Sequence, residues 1–238
     1  MSALVLTADA GAIRIITFNR PEVLNAFDSA LYAAAAEALE TAQLDDEVKA
    51  VVLTGAGRGF SAGQDLDEMT RLATGEATTS AFPRFVDALV AFDRPLLAAV
   101  NGVALGIGAT LLAHCDLVVM AESARLRTPF AEMGVAPEAA SSLLFPARMG
   151  WQRAAYVLLS GAWVSATEAV EWGLALKVVP DDNLMSEVMS LAEAVTVGPI
   201  ASLRAIKATM RAPLAAEIVA ARAREDAAFV ELLASYRR

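Results

Sequence analysis

Residues 96–113 contain no charged side chain, and Gly102, Gly106 and Gly108 cut that run into pieces too short to form one element. An apolar stretch of this length becomes either a membrane span or a buried part of a globular core. Gly102 and Gly106 stand at the GxxxG spacing of membrane helices. Against a span, Asn101 lies inside the run, and His114-Cys115-Asp116 follows it in place of a basic anchor. The segment therefore reads as a buried strand over 96–100, a glycine turn, a buried helix over 107–115 and a further strand over 117–120.

The same order of strand, helix and strand opens the chain. Residues 3–8 and 12–18 are short aliphatic and β-branched runs around Asp9-Ala10-Gly11, which reads as a hairpin. An Ala- and Leu-rich helix over 28–43 and a buried strand over 50–54 follow. These are parallel βα units of an α/β fold. Further helices fit 151–160, 166–172 and 183–194, the middle one opened by a capping box of Ser165 and Glu168, with a late strand over 174–179. From Gly198 onward the pattern is helical, broken at Pro213, and its long Ala-rich segment from 214 to about 235 is expected to lie outside the sheet core. The expected organisation is a core over 1–195 and a C-terminal helical region over 196–238, a change of architecture and not two independent domains.

With 238 residues, 56% of them hydrophobic and only 6% aromatic, the chain can fold by ordinary burial. Its net charge of −9 sets a field that repels nucleic acid and anionic membranes, so neither is an expected partner, and an anionic ligand needs a local positive site. Cys115 is the only cysteine, which excludes an intramolecular disulfide and fits a reducing compartment. The first twenty residues already include Asp9 and Arg14 and lack the pattern of a secretory signal, so the expected location is the cytoplasm.

His114 is the single histidine, so the usual zinc set of three or four His and Cys ligands cannot be built from this chain, and no metal is expected. Its place at the end of an apolar helix is that of a satisfied structural histidine. Acid–base work therefore falls to carboxylates. Two glycine-bearing loops follow strands, one over 55–66 and one over 101–108. Neither is a good dinucleotide fingerprint; in the second, Leu111 stands where a third small residue is wanted, and neither precedes a P-loop lysine. Both offer unhindered backbone amides at a helix start, where negative charge is favoured. Taken singly, each is equally read as glycine required for a tight turn.

Three motifs at compatible spacing carry a family resemblance. Asn19-Arg20-Pro21 with Leu24-Asn25-Ala26-Phe27, then Gly59-Phe60-Ser61-Ala62-Gly63-Gln64-Asp65-Leu66, then Arg94-Pro95-Leu96 through Asn101-Gly102-Val103-Ala104, resemble the crotonase or enoyl-CoA hydratase/isomerase superfamily. The resemblance covers essentially the whole chain. It implies a spiral of ββα units, a C-terminal helical trimerisation region with a homotrimer or dimer of trimers, and a coenzyme A thioester as substrate. No separate cofactor is implied, because coenzyme A is part of the substrate. Carried over position by position, the backbone amides of Gln64 and Ile107 form the oxyanion hole, and Ala26, Ala62, Gly63, Asp65, Leu66, Gly106, Phe130 and Pro137 line the substrate. Arg58, Arg84 and Lys207 are candidate partners for the coenzyme A phosphates, and Met69, Leu72, Phe82 and Phe85 for the acyl chain.

Hydratases of the family use two glutamates, and this chain has Thr110 and Phe130 at those positions. Instead Gly134-Val135-Ala136-Pro137-Glu138-Ala139-Ala140 resembles the segment that supplies the acid–base glutamate in one branch of Δ3,Δ2-enoyl-CoA isomerases. Thr128-Pro129-Phe130 and Phe145-Pro146 also match that branch. Glu138 is the carried-over catalytic residue. Its neighbours are apolar, so burial would raise its proton affinity, whereas the plainer reading makes it a carboxylate at a helix start. Asp65 is expected to orient the first loop or cap its helix. The favoured activity is isomerisation of a 3-enoyl-CoA to the 2-enoyl isomer by one glutamate. The alternatives are hydration or another acyl-CoA lyase or hydrolase reaction on this scaffold, or a non-catalytic acyl-CoA binding subunit.

Overall fold

A computed structural model describes the backbone of residues 3–74 and 80–236. Its first strands, β1 (Val5–Ala10) and β2 (Ile13–Phe18), form an antiparallel hairpin with Ala10 opposite Ile13. The turn thus falls on Gly11 and Ala12, later than Asp9-Ala10-Gly11. Gly11 takes φ +59°, and Asp9 stays in the strand opposite Arg14, which it grips through two 2.7 Å bonds. Helix α1 (Ser29–Leu44) starts at Asp28, whose carboxylate accepts the Leu31 amide at 2.8 Å, and leads to β3 (Ala50–Gly55).

The chain continues through β4 (Gly59–Ser61), α2 (Leu66–Thr74), α3 (Phe82–Ala91), β5 (Leu96–Val100), β6 (Val103–Leu105) and α4 (Ile107–Thr110). A 3-10 turn over Leu111–His114 leads to β7 (Leu117–Ala121), β8 (Arg125–Arg127), α5 (Phe130–Met133), α6 (Ser141–Met149) and α7 (Trp151–Ser160). Then come β9 (Val164–Ser165), α8 (Ala166–Glu171), β10 (Lys177–Val179), α9 (Leu184–Val195), α10 (Ile200–Arg211) and α11 (Ala215–Tyr236). The expected capping box of Ser165 and Glu168 opens α8.

Two sheets result. The larger has six strands in the order β1-β2-β3-β5-β7-β10, parallel from β2 onward. Every residue of β3 and β5 is buried, which is why those strands read as unbroken aliphatic runs with no alternation. The smaller sheet has the order β4-β6-β8-β9, and its strands β4 and β6 lie in the two segments read in the sequence as glycine loops. Between α1 and the sheets lies an aromatic cluster in which Phe27 stacks 4.8 Å from Tyr32 and 5.2 Å from Phe85. Phe85, expected to line the acyl chain, is fully buried in this cluster. The side chain of Leu72 lies outside the described residues.

The C-terminal helices follow expectation in being interrupted at Pro213, in a 3-10 turn over Ala212–Leu214. Helix α11 packs on α6, a helix outside the sheets, and buries Ile218 and Ala221. The uncharged run 96–113 is strand, turn, strand and short helix, and among the described residues no single helix is long and apolar enough to cross a membrane.

Candidate active site

The first loop is shaped by side chains that spend their hydrogen bonds on its backbone. Leu24 and Asn25 both adopt left-handed backbone, at φ 52° and 57°. Asn25, fully buried, accepts the Arg20 amide at 2.9 Å and donates to the carbonyls of Ala56 and Gly59. Ser61 donates to the Asn25 carbonyl at 2.9 Å and accepts the Gly63 amide at 3.1 Å, which leaves its hydroxyl occupied by structure. Arg20 adds bonds to the Ala26 carbonyl (2.6 Å) and to Asp65 (3.2 Å). Asp65 also accepts the amides of Asp67 and Glu68, so it caps α2 and ties the loop down.

This scaffold turns the Gln64 amide outward. Phe27 and Gln64 form a parallel bridge in which Phe27 donates to Gly63 (2.7 Å) and accepts from Asp65 (2.9 Å), so the Gln64 amide points away from Phe27. The Gln64 side chain is anchored in turn, accepting the Tyr32 hydroxyl at 2.8 Å.

Ile107 is the first residue of α4, where a helix leaves its amides without intrahelical acceptors; only from Ala109 onward do they bond back, Ala109 and Thr110 both reaching the Gly106 carbonyl at 2.9 Å. Among the described residues neither the Gln64 nor the Ile107 amide has an acceptor. Asn101 joins the two loops, donating to the carbonyls of Gly55 and Gly57 at 2.9 Å. The loops meet at two glycines: a Cβ on Gly63 would stand 2.7 Å from the Leu105 carbonyl oxygen, and one on Gly106 would stand 3.8 Å from the Cα of Gly63.

Glu138 faces that junction. Its Oε1 lies 3.8 Å from the same Cβ position on Gly106. The residue keeps some accessible surface, but burial of its carboxyl, with a smaller contribution from the negative charge of Glu225, pushes its pKa up to about 8. Tyr32 shares this environment; burial first, and then the charges of Glu138 and Glu68, push its hydroxyl well above the ordinary value. Next to Glu138, Ala139 and Ala140 are both left-handed, at φ 56° and 59°, a costly conformation for alanine. Two groups hold this turn: His114 Nε2 donates to the Ala139 carbonyl at 2.7 Å, and Glu225 on α11 accepts the Ala140 amide at 2.7 Å. Burial depresses the His114 pKa to about 4, so the ring is neutral near neutral pH.

The remaining expected site residues are placed as follows. Ala26 and Phe130 are buried, Ala62 and Pro137 are half-buried, and Leu66 is exposed at the start of α2. Thr110 is fully buried. Two of the three expected phosphate partners are otherwise engaged. Lys207 is buried and donates at 2.7 Å both to the Arg94 carbonyl and to Asp116, and Arg84 pairs with Glu40, whereas Arg58 is exposed. Tyr32 and Glu225 went unnoticed in the sequence. Each sits in an Ala-rich helix where no local pattern sets it apart, and only the fold brings it to residues 64 and 140.

Two glycine-hinged amide loops on a spiral of short parallel strands, faced by one buried carboxyl, define the crotonase class of acyl-CoA proteins. A family model described as Enoyl-CoA hydratase/isomerase matches residues 8–237, and the chain belongs to that family. It is 37% identical over 213 residues to the 1,2-epoxyphenylacetyl-CoA isomerase of Escherichia coli K12, covering 87% of this chain and 81% of that protein. It is 38% identical to the rat enzyme named Enoyl-CoA delta isomerase 2, across 87% of this chain but only 54% of the relative. The 2,3-dehydroadipyl-CoA hydratase of E. coli K12 is 33% identical, with 99% of this chain and 92% of that protein covered. Among solved structures, an enoyl-CoA hydratase/isomerase from Pseudoalteromonas atlantica T6c superposes with a TM-score of 0.92 at 39% identity, covering 98% of this chain and 92% of that one.

Proposed function

We propose that the protein is an enoyl-CoA isomerase that moves the double bond of a 3-enoyl-CoA to the 2-enoyl position, with Glu138 as its only proton carrier. In the first step the Glu138 carboxylate removes a proton from C2, and the C–H electron pair passes into the thioester carbonyl. The resulting dienolate oxygen accepts hydrogen bonds from the amides of Gln64 and Ile107. In the second step the dienolate collapses, C2 and C3 become doubly bonded, and C4 takes the proton back from Glu138. No atom is gained or lost, so one carboxyl group suffices.

The observation that carries this reading is the pairing of Glu138, its Oε1 3.8 Å from the Cβ position on Gly106, with Thr110 and Phe130 where a hydratase would need carboxylates. The similarity to Enoyl-CoA delta isomerase 2 supports it, and the exposed Arg58 is our candidate for the coenzyme A phosphates. The hydratase relative makes water addition the competing activity to measure.

Glu138→Gln is expected to lower 3-enoyl-CoA isomerisation by roughly 10²–10⁴-fold, the range for loss of a general base. Because the free enzyme needs the ionised carboxyl, kcat/KM should rise with pH and level off above about 8. Full isomerase activity in Glu138→Gln, or a wild type that hydrates 2-enoyl-CoA faster than it isomerises the 3-enoyl form, would overturn the assignment.

A further inference from the structure

We infer that Glu225, on the C-terminal helix α11, is a positioning residue for the reaction: its carboxylate clamps the left-handed turn that follows Glu138 and so fixes where the Glu138 carboxyl points. This rests on the reading of Glu138 as the acid–base residue. Glu225 is separated from that turn by more than eighty positions in sequence, and its carboxylate makes three bonds there. One oxygen accepts the Ala140 amide at 2.7 Å, and the other accepts the Ser142 amide at 2.9 Å and the Ser142 hydroxyl at 2.6 Å.

These bonds fall where the backbone needs them. Ala139 and Ala140, at φ 56° and 59°, would relax to ordinary backbone if nothing held them, and either change would swing Glu138, the adjacent residue. The Ala140 and Ser142 amides also belong to the start of α6, whose end charge favours a carboxylate. On the other side of the turn, His114 holds the Ala139 carbonyl. The Ala139 carbonyl and the Ala140 amide, the two ends of one peptide unit, are thereby fixed by different elements. Glu225 is 5% exposed, so this is an interior contact and not a surface pair.

The charged and titratable groups facing Glu138 are few. Glu225 comes from α11, and the Tyr32 hydroxyl, from α1, is neutral in the working range. His114, from the 3-10 turn after α4, is neutral as well. Arg222, one turn before Glu225 on α11, pairs with Asp87 at 2.7 Å, and Glu68 of α2 acts on Tyr32. Glu225 is therefore the like charge against which Glu138 ionises. A Glu225→Gln variant keeps the shape, removes that charge, and sets an amide NH2 against one of the two backbone donors.

The test combines steady-state kinetics on a 3-enoyl-CoA with a carbon-13 NMR titration of the Glu138 carboxyl, its resonance identified by its loss in Glu138→Gln. In folded Glu225→Gln we expect kcat to fall about 10²-fold, the size of effect that a misplacement near 1 Å produces, while KM changes little and the Glu138 titration moves to lower pH. Ser142→Ala removes one bond and no charge, so kcat should fall less and the titration should stay in place. If Glu225→Gln keeps wild-type kcat, whether or not the titration moves, Glu225 only caps α6 and the inference is overturned. Should that variant fail to fold, wild-type kcat in Ser142→Ala overturns it instead. Activity surviving in Glu138→Gln is a different failure, of the underlying assignment, and is recognised without any Glu225 variant.

Discussion

The property that suits Glu138 to proton transfer works against the fold. Its pKa rises from 4.5 to about 8, chiefly because burial penalises the charged form. A group whose folded pKa lies above its unfolded value favours the native state fully below the unfolded pKa, and that contribution is lost as pH climbs through the folded one. Stability should therefore drain away between about pH 4.5 and pH 8, at no more than about 1.4 kcal/mol per pH unit for this one group. Glu138→Gln has no such loss. Calorimetry is expected to show the variant melting close to wild type at pH 4.5 and above it at pH 8, a gain on the order of a few kcal/mol at most. The window in which stability falls is the window in which kcat/KM should climb, so one titration governs both curves. A melting difference that does not change with pH would mean that the carboxyl is solvated and the raised proton affinity is absent.

At the scale of elements, the hole depends on how closely two loops approach, and that approach is a matter of single glycines. Gly63 has φ +87°, and its missing Cβ leaves room for the Leu105 carbonyl, which would otherwise stand 2.7 Å away. Gly63→Ala is expected to push the loops apart and lower kcat by about 10²–10³-fold, as for loss of one oxyanion donor. Gly11→Ala is the matched control, since Gly11 also has positive φ but a Cβ there meets nothing within 4 Å. It should cost about 1–2 kcal/mol of stability and leave kcat untouched. Equal effects of the two variants on kcat would refute the close-approach argument.

The same elements show what sequence reading reached. The strands of the large sheet and most long helices were legible, because an unbroken aliphatic run such as Leu96–Val100 and an Ala-rich segment such as Ser29–Leu44 each have one physical solution. The small sheet was not. Its strands β4, β6 and β8 are three residues long, too short for a period-2 pattern to emerge, so β4 and β6 read as parts of glycine loops and β8 was not seen. For the site, Gln64, Ile107 and Glu138 came from motif resemblance, whereas Glu225 belongs to a helix whose neighbouring charges, Arg222, Arg224 and Asp226, hide it.

For the whole molecule, α10, α11 and the segment before them leave several large apolar side chains exposed. Ile206 and Met210, four residues apart on one helical face, are 57% and 72% exposed, and Val197 and Val219 add 85% and 64%. Scattered exposed apolar residues are ordinary, but a bulky pair on one face of a helix makes that face a candidate for cover by another chain. The expected occupant is a second and third copy of this chain, in a homotrimer or a dimer of trimers. The helix that offers Val219 to such an interface also carries Glu225 to the turn after Glu138, so assembly and catalysis would share one element. Met210→Glu places a charge on the exposed face and touches none of the groups around Glu138. Sedimentation velocity should find the wild type trimeric or larger and Met210→Glu shifted toward monomer. If α11 is steadied by its neighbours, kcat should fall together with the trimer fraction and recover as protein concentration restores it. Monomeric variant with undiminished kcat would separate the two, leaving α11 anchored from within its own chain by Ile218, Ala221 and the Glu225 bonds.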